Sequence, residues 1–162
     1  MSTRSFLHTL LSREQGIFAR VIAAVPAAKL DYRPDPKARS ARELVEHLLG
    51  HHLDLAELVT EGSIHHRNYE PFASLEIAER RIRESYAAIL GGLSALPDSG
   101  WGGPAPYYEG ESLVMEAPRE QLAWMFYLGA VHHRGQLSTY LRPMGATVPA
   151  IYGPSADDPG GS

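Results

Sequence analysis

Cysteine is absent from the 162-residue chain. Disulfides, thiolate metal ligands and a cysteine nucleophile are thereby excluded, which leaves histidine and carboxylates as the available metal donors. Basic residues are outnumbered: 15 Lys and Arg against 19 Asp and Glu give a formal net charge of -4. They are also scattered, so no cationic face is dense enough to neutralise a run of phosphates, and nucleic acid is not an expected partner. Long apolar runs are missing as well. No stretch approaches the length that spans a bilayer, and the opening MSTRSFLHTLLSREQG lacks an apolar run ending in a small-residue cleavage site. A cytoplasmic protein with no membrane partner is the expectation.

With 44% apolar and 21% charged residues, the chain has the composition of an ordinary globular domain. Its length suits one hydrophobic core, so a single domain over 1–153 is expected. The remainder, 154–162, offers nothing to bury and is expected to be loose.

Four helical segments follow from apolar periodicity. From Arg4 to about Val25, Phe6, Leu7, Leu10, Leu11, Ile17, Phe18, Val21 and Ile22 recur at three- and four-residue intervals until Pro26. The segment AAKLDYRPDPKAR then crosses as a loop, because its prolines bias the residues before them to extended backbone. A second helix opens at SARE, where Ser40 and Glu43 can form a capping box. Its inward stripe continues through Leu44, Leu48, His51 or His52, and Leu55. A third helix is capped by Ser74 and ends near Pro97. Glycine and proline crowd the stretch from Pro97 to Pro118, which reads as a long loop with one short extended piece around SLVM. Trp101, Tyr107 and Tyr108 on that loop cover either a pocket or the end of the core. The fourth helix opens at Pro118 and closes before Gly145. Together these segments predict an all-α four-helix bundle.

Eight histidines are the chemistry-bearing group. The helical period turns His133 toward the core and puts His132 about a hundred degrees round, toward an edge. On the second helix His47 and His51 lie one turn apart on one face; His52 is assigned to the rim. His65 and His66 fall in a loop and are expected to be solvated. An inward imidazole needs partners for both nitrogens. A metal ion supplies one such partner, and a histidine pair four apart with a third imidazole from a facing helix makes a three-histidine site. His47, His51 and His133 are the candidates. Hydrogen-bonded core histidines without metal are the competing reading. Arg134 either orients an anionic substrate or pairs with a nearby carboxylate. Gly129 and Gly135 inside a helix point to close packing. Glu43 has the capping role and Glu46 is expected to face outward, so no general base is assigned.

YRPDPKARSARELVEHLLGH and HHRGQLSTYLRPMGATVPAIYG resemble two signatures of the DinB-like family, a group of four-helix bundles that includes metal-dependent enzymes. The first resembles the proline-rich approach to a second helix that carries a metal histidine, here His47. The second resembles the signature last helix, with His133 matching another ligand. In the family pattern a third histidine lies four residues before that one, and this chain has Gly129 there. His51 is expected to replace it, its ring entering the space left at Gly129. What the resemblance implies is a divalent ion, zinc or nickel on histidine-only ligation, that activates water or a low-molecular-weight thiol for hydrolysis or transfer on a small-molecule substrate. It also implies a homodimer. The rival reading is a degenerate, non-catalytic bundle acting as a stress-associated interaction protein.

Overall fold

A computed structural model describes residues 2–160. Four long helices, α1 (Thr3–Ala23), α2 (Ala41–Thr60), α3 (Leu75–Ala95) and α5 (Arg119–Leu141), form the bundle, with a one-turn helix α4 (Asp98–Trp101) after α3. The predicted starts coincide with local chemistry. Ser40 Oγ accepts the Glu43 backbone N–H at 3.2 Å, and Glu43 Oε2 accepts that of Ser40 at 2.6 Å, so two otherwise unpaired donors are satisfied reciprocally. Ser74 caps α3 in the simpler way, accepting from Ile77 N. Pro118 precedes the first turn of α5, where a missing N–H costs nothing.

Helix packing runs α1–α3–α2–α5 and closes from α5 back to α1. One buried cluster fills the space between them, including Leu7, Phe18, Leu48, Ile82, Tyr86 and Leu137. Because α2 packs against both α3 and α5, residues on two of its sides are covered, and its buried set includes His47, His52, Asp54 and Glu57. This corrects the placing of His52 at the rim. Its ring is buried edge-on to Phe18 at 4.7 Å between centroids, and Nδ1 donates to Leu48 O at 2.7 Å.

The stretch from Pro97 to Pro118 is likewise more ordered than a loop. It contains α4 and an antiparallel hairpin, β2 (Pro104–Glu109) and β3 (Ser112–Pro118), turning at Gly110 with φ +59. A two-residue strand β1 (Ile64–His65), in the connection between α2 and α3, adds to β2 in parallel, pairing Ile64 with Tyr107 and His65 with Tyr108. The short apolar run in SLVM signals one extended piece; its partner, PAPYYE, is interrupted by two prolines. The small sheet lays the β1 connection across α2. Gly50 permits the approach: a Cβ there would collide with Arg67 O.

Trp101 covers the end of the core, buried with its indole N–H donating to Thr3 Oγ1 at 3.0 Å, whereas Tyr107 lines a cleft. The segment expected to be loose, 154–162, carries hydrogen bonds in its described part: Asp157 Oδ2 accepts from Val148 N at 2.9 Å and Asp158 Oδ2 from Ala150 N at 2.8 Å. Residues 161–162 lie outside the described residues. No described helix is long and apolar enough to cross a membrane.

Candidate metal centre

Three imidazoles meet between α2 and α5. His47 Nε2 lies 3.0 Å from His133 Nε2 and 3.2 Å from His51 Nε2, and one ligand atom from each ring falls within 4.8 Å of the others. Three nitrogens arranged tetrahedrally about an ion at about 2.05 Å would be roughly 3.3 Å apart. The two separations from His47 Nε2 are close to that.

The protons on these rings are set by their other nitrogens. His47 Nδ1 is 2.6 Å from Asn68 O, and a carbonyl oxygen only accepts, so this nitrogen carries the proton and Nε2 presents a lone pair. His133 Nδ1 sits 2.8 Å from Gln136 Oε1, with the same consequence. Two lone pairs therefore face each other across 3.0 Å, an arrangement that is repulsive unless a cation lies against both. His51 Nδ1 is buried and has no hydrogen-bond partner among the described residues. Burial is the first cause holding all three rings below the ordinary histidine range: His47 falls to about 4, His51 to about 2, and His133 is lowered as well. At neutral pH all three are uncharged donors for which no proton competes. The residues present thus fit one divalent ion of borderline softness.

Gly129 makes room for the third ring. A Cβ there would fall 2.9 Å from His51 Cε1, closer than carbon atoms pack. The expected replacement of a fourth-helix side chain by His51 therefore has a steric counterpart.

A cleft of about 510 Å³ opens beside the cluster, lined by His47, His51, His66, Tyr107 and Phe126 among others. His66 departs from the solvated position that its loop predicts. Its side chain is only 16% exposed, and Nδ1 donates to Oδ2 of the buried Asp54 at 2.7 Å. Asp54 also accepts from Arg67 Nη1 at 2.9 Å. Burial raises the Asp54 carboxyl above its ordinary range despite these donors. His65 does match the expectation, with 58% of its side chain exposed. One cue to the missed pair existed: Asp54 is an acid on the apolar stripe of α2, and an acid there needs a partner from elsewhere. Nothing in the loop pattern named His66 as that partner.

The remaining polar candidates resolve structurally. Arg134 is buried and ion-paired with the buried Glu14, donating also to Tyr152 Oη at 2.6 Å; it is the carboxylate-paired alternative that the structure realises. Glu46, expected outward, is 15% exposed and 4.0 Å from Arg42. His132 is exposed, as an edge position should be.

The sequence profile of the DinB family matches residues 1–160. The chain belongs to the DinB family. Solved structures agree on the fold. A DinB-like protein from Bacillus cereus ATCC 10987 is 18% identical, with a TM-score of 0.72 over 93% of this chain and 97% of that one. YfiT from Bacillus subtilis, described as a probable metal-dependent hydrolase with an unusual four-helix bundle topology, is 15% identical, with a TM-score of 0.66 over 91% of each chain. A mycothiol-dependent maleylpyruvate isomerase is 13% identical, with a TM-score of 0.50 over 91% of this chain and 62% of its own. No curated protein matches the sequence. Within this DinB-family bundle, the histidine cluster sits where α2 and α5 pack together and where the β1 connection crosses them.

Proposed function

We propose that this DinB-family chain is a metal-dependent enzyme in which His47, His51 and His133 hold one divalent ion, zinc or nickel, for hydrolysis or for transfer of a low-molecular-weight thiol. The carrying observation is the pair of Nε2 lone pairs 3.0 Å apart, each fixed by a hydrogen bond at the opposite nitrogen. An ion held by three neutral imidazoles keeps its full positive charge and acidifies a water or thiol beside it. The neighbours support the class: one is described as a probable metal-dependent hydrolase and another as mycothiol-dependent.

The chain's own residues have separable duties in this reading. Asn68 O and Gln136 Oε1 orient the His47 and His133 rings and hold their protons on Nδ1. Asp54 does the same for His66, which leaves the His66 Nε2 lone pair available to accept a proton from the nucleophile. Met125, Phe126 and the Tyr107 ring supply the apolar part of the cleft wall.

Metal analysis of protein purified without chelator or nickel resin tests the reading. Near-stoichiometric metal is expected in the native chain, with large losses in His47→Ala, His51→Ala and His133→Ala. Cobalt substitution should give a four- or five-coordinate absorption spectrum. A hexaaqua-like spectrum, with no metal retained, would favour the non-catalytic bundle.

A further inference from the structure

Arg39 precedes the buried N-cap Ser40 of α2 and stands at the edge of the histidine cleft. Both its ends are held. Its carbonyl accepts from Tyr140 Oη at 3.1 Å, its Nε donates to Tyr69 Oη at 3.3 Å, and its guanidinium carbon lies 5.8 Å from the centre of the Tyr69 ring. These contacts occupy one of the five N–H donors of the group. Among the described residues, no carboxylate lies within 4.0 Å of it. The nearest acids in sequence are engaged elsewhere: Asp35 Oδ1 accepts from Lys37 N at 2.8 Å, and Glu43 is held in the capping box and by Arg33 at 3.3 Å.

Arg39 lines two adjoining spaces, the histidine cleft and a recess shared with Lys37, Gln136 and Tyr140. The rest of the cleft wall supplies no second Lys or Arg, and Glu109 stands on it as well. A polyphosphate or dianion would find one cation there and one like charge. A single carboxylate would find a planar fork of matching geometry.

We propose that Arg39 binds a carboxylate of the substrate and selects small molecules bearing one over uncharged analogues. The inference deepens the enzymatic reading above, because it names the substrate class of the same cleft. It does not require the metal to be present for its own test.

Mercaptoacetate and mercaptoacetamide are the probes, equal in size and different in charge. Amide shifts of Asn68 and Tyr107 report binding to the metal-free chain, and the thiolate-to-cobalt band reports binding to the cobalt-loaded one. In the native chain the carboxylate probe is favoured, and the preference falls about tenfold in Arg39→Gln, in line with loss of a half-exposed charge-assisted contact. Comparing the ratio between variants cancels the different acidities of the two thiols. Arg39→Lys should keep part of the preference. An unchanged ratio in Arg39→Gln, by either readout, overturns the assignment. Preference retained in the metal-free chain with no cobalt band for either probe would uphold Arg39 and remove the metal reading instead.

Discussion

The His51 ring occupies the space that a side chain at Gly129 would need, with Cε1 placed 2.9 Å from a Cβ built on the glycine. Gly129→Ala therefore sets two effects against each other. Alanine gains about 1 kcal/mol of helix propensity over glycine, while its methyl pushes a ring whose far end can swing. Net stability of the metal-free protein is expected to change by less than about 1 kcal/mol, read by urea unfolding. Metal retention should drop sharply. The exchange variant His51→Ala with Gly129→His returns an imidazole one turn before His133, and metal binding should recover relative to His51→Ala alone.

Gln136 accepts the His133 Nδ1 proton at 2.8 Å without belonging to the cluster. Replacing it by leucine removes that acceptor and frees the ring to rotate or change tautomer. Metal affinity should weaken by roughly 10- to 100-fold, measured by competition with a coloured chelator, while the far-ultraviolet circular dichroism stays native.

His66→Gln separates proton transfer from metal binding. Since His66 lies beside the cluster and not in it, with ring centroids 6.3 Å from His47 and 6.0 Å from His51, metal content should equal that of the native chain. Turnover should fall by about 100-fold, the lower range for loss of a positioned proton acceptor. Asp54→Ala goes further: it strips partners from His66 and Arg67 and should cost about 3 kcal/mol of stability.

Stability of the metal-free protein should depend on pH through His52. Burial pushes this ring down to about 4 from the usual 6.5, so between those values the unfolded chain binds the proton and the native chain does not. Stability then rises with pH across the window and is lost as the solution is acidified from about 6.5 toward 4. The single site accounts for about 3 kcal/mol at the acid end. His47 and His51 act with the same sign, so the clean observable is the difference between native protein and His52→Phe in urea midpoints taken across this range. The variant should show the shallower dependence.

Arg134 and Glu14 form a buried ion pair 120 residues apart in sequence. Arg134→Met strands the Glu14 carboxylate and should cost about 3–5 kcal/mol, seen as a fall in Tm. Adding Glu14→Met removes the stranded charge, and the double variant should be more stable than the single one.

The contrast between what could and could not be read in the chain follows particular residues. Capping at Ser40 and Ser74, the termination of α1 before Pro26 and the opening of α5 after Pro118 all depend on neighbours within four positions, so they were legible. The inward facing of His47, His51 and His133 came from the helical period alone. By contrast, β2 carries PAPYYE, whose prolines suggest a loop, and only its pairing to β1 and β3 makes it a strand. A single inward stripe on α2 leaves His52 at the rim, yet α2 is packed from two sides.

Local spacing by itself determined the four long helices, their caps and the shared face of His47 and His51, because each depends on chemistry repeated every three or four residues; the family resemblance rests on two longer segments instead. Tertiary structure decided the rest: the 3.0 Å approach of His47 and His133, the seating of His51 against Gly129, and the capture of His66 by Asp54. Those distances depend on how far apart two packed helices lie and on where a loop settles across them. Neither quantity is set by any short run of residues, because both arise only when separate segments bury their apolar faces together.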